Sequence, residues 1–423
     1  MPVSESAAQR RRGRVLGIVG AVVAVVALGA PPSAGAAGEV PRVGSSGGLG
    51  VDVASDGSAA RIDDGQPLAV RLAAPGAPFG PPVTVDAAGG YLATVSAGPG
   101  GAVLVTWSGG GLDGALMAAY RPPGGVFGAP VRLQVGSPPG EQTPVSAFDA
   151  ASDATLAWAS AQPDEDRLLV RTLSAAGAWG PVRAIHAPRV FRPSLAVAPS
   201  GGAVLAWRED GPRRSSTRVV ASLRPAGGEF GPARTLAGIQ RNPDEPAVAI
   251  NEHGSAAVAW VELHRMTTFA AAAAFREPGS TRFGKATNLN PAGTEGASPT
   301  VSIAPDGRTV LSWADFHFNT SDVWARIRTR DGLLRPAHEL SRHAEGNTGG
   351  AALATTPALV GWYERSHHHT SSLRTAAARA DGTFAPPRTR SGPFAYGDEP
   401  LLFADPAGLA FVDPRGRLVR AAG

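Results

Sequence analysis

Four carboxylates recur at one offset from a recurring tryptophan: Glu209, Glu262, Asp315 and Glu364 follow Trp207, Trp260, Trp313 and Trp362 by two residues each. Residues two apart on a strand share a face, so each acid should lie beside its indole at one end of its strand. Glu245 and Glu399, immediately before Pro246 and Pro400, are expected at the same end. A ring of carboxylates could hold a cation or a basic ligand, or supply the acid and the base or nucleophile of glycoside cleavage. His264, His317 and His367 fall in equivalent loops beyond three of these acids. If those loops converged, their imidazoles could bind a borderline metal such as zinc. Phe316, Phe318, Tyr363 and Tyr396, with Phe191 and Phe394, offer rings that can stack on sugars.

Repetition weighs against catalysis at these acids, because glycosidase sites are singular rather than copied from unit to unit. The competing expectation is structural: a recurrent carboxylate caps backbone N–H groups or pairs with a neighbouring arginine. His367, His368 and His369 diverge along an extended loop, so a solvated loop is the plainer reading. Asp164-Glu165-Asp166 lacks the glycine and the spacing of a calcium loop. The chain has no cysteine, which removes disulfides, thiolate metal sites and cysteine nucleophiles. A Gly-rich phosphate loop, a nucleophile elbow and a metalloprotease helix motif are also missing, so no cofactor is expected.

The elements that must carry these groups follow from a repeat of about fifty residues. Tryptophans 107, 158, 207, 260, 313 and 362 are 49 to 53 residues apart, and Pro144, Pro193, Pro246 and Pro299 each precede one by 14. A Gly-containing turn lies between, as at Asp306-Gly307, and fixed spacing through a turn implies two strands in a constant hairpin. An arginine closes a third short β-like run at 71, 121, 171, 224, 276, 328, 379 and 420. An aromatic-glycine step then leads into a fourth, at Phe79-Gly80, Phe127-Gly128, Trp179-Gly180, Phe230-Gly231 and Phe283-Gly284. Residues 203–207 and 256–260 are apolar on both faces, as a strand sandwiched between two sheets requires. The alanine run 270–274 invites a helix but occupies a third-strand slot. Four short strands per unit, repeated, predict an all-β propeller of four-stranded blades, with eight blades favoured over seven. Residues 40–43 resemble a fourth strand and would close the ring beside the last unit, pairing the N- and C-terminal strands.

Residues 1–36 read as a secretory signal: four arginines, an uncharged stretch over 15–30, Pro31-Pro32 and a small-residue site at Ala34-Gly35-Ala36. Sixteen residues are short of the roughly 20 that span a bilayer, so an uncleaved anchor is the lesser alternative. Cleavage lowers the formal charge from +4 to +1 and leaves Lys285 as the one lysine. With no basic block, nucleic acid is not an expected partner. The mature domain, 37–423, is expected to be a secreted or envelope-associated monomer that does not cross the membrane.

Across nearly the whole mature length the chain resembles secreted bacterial β-propeller repeat proteins of the sialidase-like or Asp-box type. The Asp306-Gly307 turn sits farther from Trp313 than an Asp-box places it, and no Arg-Ile-Pro motif is present, so no catalytic residue carries over. The resemblance and the repeat lead to a non-enzymatic propeller binding a glycan or protein through its loop face. The alternative is a polysaccharide hydrolase or lyase using the carboxylates of the mouth.

Overall fold

The computed structural model describes residues 50–421 apart from segments 64–65, 110–113, 136–143, 161–166, 187–188, 211–216, 239–242, 265–267, 318–319, 342–350, 354–357, 366–369, 396–401, 406–407 and 413–417. The leader, its cleavage site and the closing segment 40–43 lie outside the described residues. Eight antiparallel sheets follow one another along the chain, seven of four strands and a last of three among the described residues. In the fourth sheet Val190–Val197, Ala203–Asp210, Thr217–Arg224 and Arg234–Ala237 pair in sequence order. Pro243–Ile250, Ala256–His264, Thr268–Arg276 and Thr287–Asn288 repeat that order in the fifth. Among the described residues no helix is long and apolar enough to cross a membrane.

The first hairpin of the fourth, fifth and sixth units is set by a glycine, and Ser152, at φ 64°, takes that place in the third. Gly201, Gly254 and Gly307 have φ of 81°, 78° and 87°, a left-handed backbone that side chains with a Cβ resist. Each donates its N–H three residues back, to Ala198, Asn251 and Ala304. The strands that follow bury both faces. On Ala256–His264, Ala256, Val258 and Trp260 pack on Val204, Ala206 and Val219 of the fourth sheet. Ala257 and Ala259 face the other way, onto Val301, Leu311 and Trp313 of the sixth. Period-two alternation thus divides one apolar run between two interfaces. Each recurrent tryptophan reaches the preceding sheet and is fully buried there. The sheets therefore stack face to face in a propeller-like succession. Their first strands adjoin from sheet to sheet, and Val51–Val53 of the first sheet also touches Leu402–Asp405 of the last.

Residues 270–274 lie inside the strand Thr268–Arg276. Alanine's helix propensity, a few tenths of a kcal/mol per residue over most alternatives, loses to burial between two sheets that only a small side chain permits. The third-strand arginines serve the opposite end from the carboxylates. Arg121, Arg224 and Arg276 donate to the hairpin carbonyls of Gly101, Gly201 and Gly254. Burial lowers the pKa of Arg224 and Arg276 below the usual arginine value. Arg224 also lies 5.4 Å over the Phe230 ring. The aromatic-glycine step is a backbone device: Gly80, Gly128, Gly180, Gly231 and Gly284 return their N–H to a third-strand carbonyl. Arg335 and Ala385 make the same bond where the glycine is lost.

Candidate functional site

In the second, fourth, fifth and sixth sheets the end corresponding to the repeated acids is shaped by a bulge in the first strand. Pairing slips between Tyr91 and Thr94, Phe191 and Ser194, Asp244 and Ala247, and Ala297 and Thr300. Leu92, Arg192 and Ser298, at the same step of three units, hold φ of 52°, 47° and 51°. That region is disfavoured for residues with a Cβ, and strain of this kind collects where a fold displays side chains. The prolines that mark the repeat, Pro193, Pro246 and Pro299, stand at this slip, where a missing N–H is tolerated. The displayed residues differ from unit to unit. Tyr91 and Leu92 are each 48% exposed on the second sheet. On the fourth, the Arg208 guanidinium lies 4.5 Å over Phe191 and pairs with Asp210 at 3.0 Å.

Three of the four repeated carboxylates, Glu209, Glu262 and Asp315, are buried, and Glu364 is half-buried. Glu209 is 2% exposed; its Oε1 accepts the Trp207 indole N–H at 2.9 Å and its Oε2 the Arg218 Nε–H at 2.5 Å. Glu262, equally buried, accepts from the Trp260 indole at 3.1 Å. The second and third sheets have Gly109 and Ser160 at that position. There the indole donates to the preceding sheet instead, Trp107 to Asp86 at 3.1 Å and Trp158 to Gln134 at 2.9 Å. The acid two residues on is thus one of two ways to satisfy the same buried donor. Asp315, one methylene shorter, accepts the Glu295 backbone N–H at 2.9 Å, and Glu364 accepts from Arg374 at 3.1 Å. The indole nitrogens of Trp313 and Trp362 are left without a partner among the described residues.

The remaining sequence candidates divide by what the structure describes. Glu245 lies in the bulge of Pro243–Ile250, and His264, Phe316 and His317 end second strands, with backbone positions alone described. Tyr363 is buried edge-on to Phe394 at 6.0 Å. Phe318, His367, Tyr396 and Glu399 lie outside the described residues. No group of three or more potential metal ligands forms among the described residues. Asp315 does meet another carboxylate, since Asp322 sits directly across from it and both are buried.

Sequence reasoning missed two features. Tyr91 and Leu92 were hidden because the second unit has an alanine, Ala93, where others have the guiding proline. The other is a cleft of about 700 Å³ between the outer strands of the fourth and fifth sheets, lined by Arg234, Arg282 and Lys285 with Glu262 at its edge. Its lining comes from strands of different units, and only their stacking brings it together.

No family model and no curated protein matches the chain. Among solved structures it is similar to the polysaccharide lyase Uly1, at 12% identity and a TM-score of 0.47 over 73% of this chain and 84% of that one. A PL25 ulvan lyase matches at 9% identity and 0.46, over 87% and 96%. The GH93 alpha-L-arabinofuranosidase of Fusarium graminearum matches at 12% and 0.40, over 66% and 92%. These values leave the family of the chain open.

Proposed function

We propose that the chain is a secreted eight-bladed β-propeller that binds an extracellular ligand, most simply a glycan, on the face where the bulged first strands end. Removal of residues 1–36 as a signal and closure of the ring by 40–43 beside the three-stranded last sheet belong to this reading. The contact between Val51–Val53 and Leu402–Asp405 supports the closure. The observation that carries binding over catalysis is the commitment of the repeated acids: Glu209 and Glu262 are sequestered against their own indoles. The display positions carry aromatic, aliphatic and cationic groups instead: Tyr91 and Leu92 are exposed and Arg192 is half-buried. Aromatic faces with a few polar neighbours suit a sugar surface. This reading assigns Glu245, Phe316, Phe318, Tyr396 and Glu399 to the same rim, with His264, His317 and His367, on the repeat spacing of the sequence alone.

The test is an array of plant and microbial polysaccharides probed with the labelled chain. Tyr91→Ala and Phe191→Ala should each weaken the signal on the same spots. Unchanged signal in both variants would remove this face from the binding surface. One observation favours the hydrolytic alternative, the buried cross-strand pair of Asp315 and Asp322. Directly opposed residues have Cβ atoms about 4.5–5.5 Å apart, compatible with the roughly 5 Å carboxyl spacing of retaining glycosidases. Both acids are closed off from solvent, however. Sugar release that disappears in Asp315→Asn and Asp322→Asn would establish that alternative.

A further inference from the structure

The cleft between the fourth and fifth sheets gathers cations at a place where the neighbouring interface is neutralised. Counting from the aromatic-glycine step, Arg183 of the third unit and Arg234 of the fourth occupy one repeat position, four residues after Trp179 and Phe230. Glu229 and Arg282, immediately before Phe230 and Phe283, occupy the facing position. Between the third and fourth sheets these positions form an ion pair, Arg183 to Glu229, at 2.9 Å. One interface further on the same two positions are both arginine, Arg234 and Arg282, and Lys285 joins them. All three side chains are exposed, and Glu262, already bonded to Trp260, is the one acid among the described lining residues. Cations grouped in a concave site concentrate positive potential there, and a planar guanidinium grips carboxylate or sulfate oxygens in pairs.

We propose that this cleft is an anion-binding site for an acidic polysaccharide, with Arg234, Arg282 and Lys285 holding carboxylate or sulfate groups along the rim. The cleft shares Glu262 with the acid-bearing end of the fifth sheet, but its three cations lie on and beside fourth strands rather than on the bulged first strands, so either assignment can fail alone.

The full chain is titrated against polygalacturonate, dextran sulfate and neutral dextran by isothermal calorimetry. Binding to at least one anionic polymer and none to dextran is expected, and the polymer bound says whether carboxylate or sulfate is preferred. Arg282→Gln with Lys285→Gln should weaken binding at least tenfold. Arg330→Gln with Arg388→Gln, which removes the same charge from exposed positions elsewhere, should change it less than twofold. Gly238→Phe should block the cleft with every cation in place, since Gly238 lines it and an added Cβ there meets no atom within 4 Å. Arg282→Glu should rebuild the ion pair of the neighbouring interface, abolish binding and leave the melting temperature unchanged or higher. Phe191→Ala should leave anion binding intact. No binding to either anionic polymer, equal losses in the cleft and control pairs, or full affinity in Gly238→Phe would each overturn the proposal.

Discussion

Removing the carboxylate of Glu209 strips a buried indole of its acceptor, and the size of the effect can be worked from the contacts. The Trp207 N–H lies 2.9 Å from Oε1 in a site 2% exposed. A hydrogen bond to a charged group contributes about 1.5–3 kcal/mol, and a stranded buried donor costs about 1–3 kcal/mol. The second contact, to Arg218, adds less: that guanidinium is 42% exposed, and such pairs contribute about 0–1 kcal/mol. Glu209→Ala should therefore lower stability by about 2–3 kcal/mol. Glu209→Gln keeps an amide oxygen for the indole and should cost about 1 kcal/mol. Urea unfolding followed by far-ultraviolet circular dichroism measures both. The decisive quantity is the coupling in a double-mutant cycle with Trp207→Phe, which removes the donor from the other side. A coupling of about 1–2 kcal/mol is expected. A coupling within about 0.3 kcal/mol of zero, or a glutamine variant as damaged as the alanine one, would refute the structural role assigned to the acid.

The unpartnered indole of Trp313 should respond differently. Trp313→Phe loses ring area but no hydrogen bond, so it should cost about 1–2 kcal/mol less than Trp207→Phe in the same urea assay. Gly90→Ala would put a Cβ 2.2 Å from Cδ1 of Trp107, and overpacking of that kind should destabilise by about 1–3 kcal/mol, read as a lower urea midpoint. Burial, with Asp153 nearby, raises the Tyr120 phenol to about 12. Because the folded pKa exceeds the unfolded one, folding is progressively disfavoured as pH rises from the ordinary tyrosine range toward that value. Absorbance titration near 295 nm should show a late phenolate that vanishes in Tyr120→Phe.

The strands, their order and their two-faced burial were legible because hairpin length and alternation are local properties. The recurrent tryptophans, the turn glycines 201, 254 and 307 and the strand-closing Arg121, Arg224, Arg276 and Arg328 fall where the spacing puts them, whereas Arg71 and Arg171 lie two residues inside their strands and Arg379 lies beyond the end of its own. The candidate site was legible only in part. That Glu209 shares a face with Trp207 followed from period two. Whether such a carboxylate faces solvent or the indole depends on the preceding sheet, which supplies Asp86 and Gln134 as acceptors to Trp107 and Trp158 but only Ala237 at the matching position before Trp260, where Glu262 takes over. The basic cleft was opaque for a similar reason. Arg234 and Arg282 are 48 residues apart in the chain, and their meeting depends on one sheet stacking on the next. Tyr91 was overlooked because the bulge that exposes it lacks its proline.

Binding without turnover is the central claim, and product release tests it most directly. Polysaccharides retained by the array would be incubated with the full chain, with Glu209→Gln and with Asp315→Asn, and new reducing ends and unsaturated uronates measured over a day. The expected result is tight retention and no product from any of the three proteins. Product formed by the unaltered chain and lost in either variant, with the fold intact by circular dichroism, would contradict it.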